Sequence, residues 1–93
     1  MLRSFADKET ERIWNRQRSM MLGPELQLIA HRKLLLLDAA ENLNDLRTPP
    51  GNRLEKLKGN RKGQHSLRIN QPWRICFRWT NAGAEDVEIV DYH

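Results

Sequence analysis

A chain of 93 residues with 39% hydrophobic content holds enough apolar surface for one modest core and not for two. Sixteen Lys and Arg against twelve Asp and Glu leave a net charge of +4, which points towards a polyanion or an acidic partner. The single cysteine, Cys76, excludes an internal disulfide and has no zinc-ligand spacing around it, and the longest apolar run, "LLLL" at 34–37, is far too short to cross a bilayer. The N-terminus lacks the apolar stretch of a signal peptide, so one soluble domain over 1–93 in a reducing cytoplasm is expected.

In chain order, "MLRSF" reads as a short opening strand, and Ser4 or Asp7 can cap a first helix running through Thr10, Ile13 and Trp14. "MLGPE" breaks the chain and sets Pro24 in the first turn of a second helix, where its missing N–H costs nothing. Leu26, Ile29, Ala30, Leu34, Leu37 and Ala40 recur at helical spacing and predict one apolar stripe, with Gln27, His31, Arg32 and Asp38 largely elsewhere. "ENLNDLRTPPGN" ends the helical pattern, and a two-residue period follows. "RLEKLK" reads as a short strand carrying Leu54 and Leu57, "GNRKG" as a tight loop, "HSLRI" and "WRICFRW" as a hairpin, and "AEDVEIVDYH" as a last strand. Two helices followed by about four strands predict an α+β domain, with the helices packed on one face of a small, mainly antiparallel sheet.

Pairing Ile69 with Trp73 across "NQP" sets Leu67 opposite Ile75 and Arg68 opposite Arg74. That register buries the apolar set and gathers Ser66, Arg68, Arg74, Cys76 and Arg78 on the face away from the helices. Like charges directly opposite one another are unfavourable by several tenths of a kcal/mol, so something must offset them. Carboxylates of the last strand, Glu85, Asp86 or Glu88, are one solution; a phosphate held by arginine forks is the other. Lys58 and the following Arg61 and Lys62 admit the same two readings, a solvated loop or a phosphate cradle, but glycine spacing and the missing Ser or Thr rule out a P-loop. Cys76 and Ser66 lack the company of a nucleophile. Trp73 and Trp79 share the parity of Ile75 and Phe77 and read as packing residues.

The combination "NRLEKLKG", "HSLRIN", "WRICFRW" and the terminal "VEIVDYH" resembles the HigB-type toxins of the RelE/ParE superfamily, over essentially the whole chain. The resemblance implies a bacterial toxin of a type II toxin–antitoxin system, an endoribonuclease that cleaves mRNA in the ribosomal A site. Its implied partners are a HigA-type helix-turn-helix antitoxin, the 70S ribosome and mRNA, with operator DNA met only through the antitoxin complex. It carries active-site roles to Lys58, Arg74, Asp91, Tyr92 and His93. Arg61, Lys62, Arg68 and Arg78 stand as RNA or phosphate contacts, and His65 and Glu55 as accessory candidates. Glu55 occupies a position where some relatives have histidine, so the general base is open. No metal or cofactor is expected.

The chemistry suits these residue types. Attack by a ribose 2′-hydroxyl needs a base for its proton, cations for the phosphorane charge and an acid for the departing 5′-oxygen. The imidazole of His93 titrates near working pH, Tyr92 can stack on a base or orient the hydroxyl, and Asp91 can hold His93 or an arginine in place. Two alternatives stand beside this reading: a non-catalytic ParE-like toxin acting on DNA gyrase, and a basic module binding nucleic-acid backbone.

Overall fold

The computed structural model describes residues 1–91; Tyr92 and His93 lie outside the described residues. Helix α1 spans Lys8–Trp14 and starts where the Asp7 carboxylate accepts the Thr10 amide at 2.9 Å. Asp7 is therefore the cap, while the Ser4 hydroxyl accepts the Asp86 amide at 2.8 Å instead. Glu9 and Glu11 in the first turn and Arg12 in the last complement the helix dipole.

Helix α2, Pro24–Ala39, begins at its proline as expected and buries Ala30, His31, Leu34 and Leu37. Its apolar stripe differs from the expected one: Ile29 faces outward with Leu28, Leu35 and Leu36, so the helix is apolar on nearly all sides. His31, expected at the surface or partly packed, is 8% exposed and stacks on Trp14 with ring centroids 5.9 Å apart. The proline-rich connection contains two 3₁₀ turns, Leu43–Arg47 and Pro50–Asn52, the first closed by a reciprocal Asn42–Asp45 capping box.

Strands β1 (Glu55–Lys56), β2 (His65–Arg68), β3 (Trp73–Thr80) and β4 (Gly83–Asp91) form an antiparallel sheet in chain order. The fold is thus α+β, with two helices and a four-stranded antiparallel sheet among the described residues. β1 is shorter than expected, because Leu54 and Leu57 flank it rather than sit within it. The opening segment makes only isolated parallel bridges, Leu2 to Ala84 and Phe5 to Val87, along the outer edge of β4. Leu67 pairs with Ile75 and Arg68 with Arg74, the register expected from alternation. A bulge shifts the β3–β4 pairing between Cys76 and Arg78, and Asp86 takes a φ of 52° there.

The helices cover one side of this sheet. Ile13, Leu34, Leu37, Leu67, Ile75, Phe77 and Val87 are all fully buried in one cluster, each worth about 2 kcal/mol of transfer free energy. Thr10, also fully buried, stitches α1 to the sheet by accepting the Ile89 amide at 2.9 Å. The Leu2 amide likewise donates to Asp38 on α2 at 2.9 Å. With the helix side sealed, every charged residue of the opposite parity is presented on the outer face.

Candidate functional site

Directly paired residues of an antiparallel sheet share a face, so the register alone defines two outer rows. One runs Glu55, Ser66, Cys76, Glu88; the next runs Arg68, Arg74, Val90. Arg74 is the centre of this surface. Its Nε donates to Ser66 Oγ at 2.7 Å and its Nη2 to the main-chain carbonyl of Arg53 at 2.7 Å. The side chain is only 12% exposed, and its one carboxylate partner among the described residues, Glu55, lies 3.6 Å away with 56% of its side chain in water. Glu55 therefore stands beside Arg74 and not against Lys58. A pair so exposed on one side contributes at most about 1 kcal/mol and leaves most of the guanidinium charge uncompensated.

The Arg53 carbonyl is in place because the preceding loop is pinned from within. Asn52 is fully buried; its amide donates to the carbonyls of Leu46 at 3.1 Å and Thr48 at 3.2 Å, and its Oδ1 accepts Lys33 Nζ at 2.6 Å. Burial beneath this loop pushes the Lys33 ammonium below its ordinary pKa. Arg53 follows in the left-handed region at φ 45°, which ends the 3₁₀ turn and aims its carbonyl at Arg74.

The other sequence-predicted cations divide into two groups. Arg61 and Arg78 are committed to carboxylates: Arg61 Nη1 is 3.1 Å from both Glu88 Oε1 and Gln64 Oε1, and Arg78 Nε is 3.5 Å from Asp86. Lys58, Lys62 and Arg68 form no ion pair among the described residues, and neither does Lys56. The carboxylate reading of the charged face thus holds for Arg61, Arg74 and Arg78, while Lys58, Lys62 and Arg68 have no carboxylate partner among the described residues. Lys58 is exposed at the start of the Gly59–Arg61 3₁₀ turn, at the end of the sheet where Leu57 hydrogen-bonds to the Gln64 carbonyl at 2.9 Å.

His65 is on the other side. It pairs with Phe77, stacks on that ring at 6.2 Å between centroids, and its Nδ1 is buried without a hydrogen-bond partner among the described residues. Burial, with Lys56 adding to it, holds its pKa below the ordinary value. Asp91 pairs with Trp73, one position past the Arg74–Val90 pair, so strand alternation gives it the parity of Ile75 and Ile89 rather than of Arg74. Tyr92 and His93 are outside the described residues. Cys76 is fully buried; burial raises its thiol pKa, Arg61 and Arg74 work against that shift and Glu88 reinforces it. A buried, protonated thiol is packing material.

Sequence reasoning missed Asn52, Lys33 and the Arg53 carbonyl. "PPGN" was legible as a turn, but a main-chain acceptor has no residue-type signature. What the described face offers is a nearly buried guanidinium with a free positive field, next to Arg68 and bordered by unpaired lysines. Such a face suits a phosphodiester.

Residues 3–93 match the family described as "RelE-like toxin of type II toxin-antitoxin system HigB". The chain is 40% identical over 85 residues to "Toxin HigB-1" of Vibrio cholerae serotype O1, covering 90% of each protein. It is also 39% identical over 56 residues to an uncharacterized protein of Haemophilus influenzae, covering 60% of this chain and 55% of that one. A match over nearly every residue, on the fold described above, means that the chain belongs to the HigB-like toxins of type II toxin–antitoxin systems.

Proposed function

We propose that the chain is a ribosome-dependent mRNA endoribonuclease of the bacterial cytoplasm, cutting message in the A site and so arresting translation and growth. The observation that carries this reading is the state of Arg74. Its hydrogen bonds go to a hydroxyl and a carbonyl, both neutral, and its ion pair with Glu55 is long and half in water, so the fork is oriented while most of its charge is kept.

In this mechanism the ribose 2′-oxygen attacks the adjacent phosphorus as its proton passes to a base, and the 5′-oxygen leaves with a proton from an acid, giving a 2′,3′-cyclic phosphate. Arg74 binds the non-bridging oxygens as negative charge grows on them, with Lys58 and Arg68 completing the field. His93 serves as acid or base, Tyr92 orients the nucleotide, and Asp91 holds a neighbouring catalytic group. Glu55, the nearest carboxylate to Arg74, is the accessory candidate for the base. Arg61 and Lys62 extend the RNA path beyond the reacting phosphate, as does Arg78. Binding to the ribosome supplies the positioning that so shallow a face lacks.

The test is cleavage of mRNA on purified 70S ribosomes, mapped by primer extension. Wild type should give a discrete A-site cut, and Arg74→Ala and His93→Gln should each reduce its rate at least 100-fold. Intact message with the wild-type chain, or full cleavage with both variants, sinks the reading.

A further inference from the structure

A cavity on the helix layer shares no lining residue with the Arg74 face. It is a groove of about 610 Å³ between the end of α1 and the start of α2, floored by Ile13, Met21, Leu22 and Leu28. Arg16 and Arg18 are the charged residues of its wall, and no Asp or Glu lines it. Glu11 and Glu25 are the acids nearest in sequence and neither lines the groove, while Glu9 is engaged by the Ser19 hydroxyl at 2.7 Å and by Arg12 at 3.6 Å.

The groove does not stop at its own rim. Leu28 is 54% exposed, Leu35 is 44% exposed one heptad further along α2, and Arg32 lies between them on the same helical line. Leu36 at 39% and Met20 at 91% widen the strip. Several large apolar side chains together in water, on a helix whose other face is already buried, mark a surface for a partner. Its cations identify the partner's charge.

We propose that the antitoxin docks here, through an amphipathic helix that lays apolar residues into the groove and along Leu28 and Leu35, with carboxylates meeting Arg16, Arg18 and Arg32. In helix-in-groove binding the inserting helix supplies apolar anchors at i, i+3, i+4 and i+7, which here would meet the groove and the exposed Leu28, Leu35 and Leu36. This surface belongs to the helix layer and shares no residue with the Arg74 face of the sheet, so the antitoxin can be bound while that face is open. The proposal rests on the family's control by an antitoxin and not on the cleavage reaction.

Calorimetric titration of the cognate antitoxin into the purified chain tests it, alongside growth assays with both proteins expressed. Arg18→Glu and Leu28→Asp, both at exposed positions, should each weaken binding at least tenfold, and affinity for wild type should fall with added salt. Both variants should still arrest growth, but the antitoxin should no longer rescue it. If either variant unfolds at a lower temperature than wild type, Met20→Asp, on a loop, decides with the same expected loss. Wild-type affinity in the stably folded variants overturns the proposal. So does hydrogen-exchange protection by antitoxin confined to β2 and β3, or a homodimer dispersed by Leu28→Asp with antitoxin affinity intact. Loss of binding with a chain that cuts no mRNA would leave the docking surface standing and remove only the nuclease reading.

Discussion

Arg74 donates to the main-chain carbonyl of Arg53, 2.7 Å away and 21 residues earlier in the chain. The bond ties a strand in the middle of the sheet to a loop that carries no strand of its own, and it makes the guanidinium a fixed object rather than a mobile surface charge. Arg74→Lys keeps the charge but cannot span Ser66 Oγ and the Arg53 carbonyl at once. Cleavage by this variant should fall about 100-fold with little change in ribosome affinity, and a KM-against-kcat comparison checks it. Restoration by lysine to near wild-type rate would mean that charge alone suffices.

Asn52 is the support behind that carbonyl. Asn52→Ala removes donors from two carbonyls and the acceptor from Lys33, all in a buried setting, and should cost about 2–4 kcal/mol in urea unfolding. Asn52→Asp keeps the Lys33 partner but gives no N–H to Leu46 or Thr48, so it should remain destabilised by at least about 1 kcal/mol. At temperatures where both variants are folded, cleavage should fall more than RNA or ribosome binding, because Arg74 loses its alignment and not its charge.

Gly83 has a φ of 127°, and a Cβ there would run into the carbonyl of Met1. The glycine is what lets the opening segment lie against β4, with the Ala84 amide donating to Met1 O at 2.9 Å and Arg3 to Ala84 O at 2.8 Å. Gly83→Ala should therefore cost about 1–3 kcal/mol and raise hydrogen exchange at Arg3 and Ala84 first.

His65 gives the fold an acid limit. Its folded pKa is below the unfolded value of 6.5, because burial and Lys56 disfavour the imidazolium. The unfolded chain then binds more protons, so stability is full above about 6.5 and is lost as pH falls from there towards the folded pKa. His65→Phe retains the stack on Phe77 and removes the titration. Its urea midpoint should change less than that of wild type between about pH 7.5 and pH 5.5; equal changes would assign the acid sensitivity to another group.

The hairpin register was legible in the sequence because only one alignment of Leu67 and Ile75 buries the apolar set, and a slip by one residue would expose all of it. The same alternation placed Arg68 against Arg74 and predicted the α+β layering. The outward turn of Ile29 was not legible, because a helix rich in leucine on all sides has several equivalent stripes. Only packing against the sheet selects one. Partner choice among charges was hidden for a related reason. Glu55, Asp86 and Glu88 are each compatible with any nearby cation in the sequence, and the two-residue strand, the bulge and the loop at 59–63 decide which distances are short.

What the sequence determined by itself is therefore the set of groups and their parity: arginines on one face, leucines and isoleucines on the other. Which arginine is held still, and by what, belongs to the tertiary structure. A hydrogen bond from Arg74 to a carbonyl 21 residues away depends on where a loop is pinned, and Asn52 pins it with an amide whose partners no periodicity reveals.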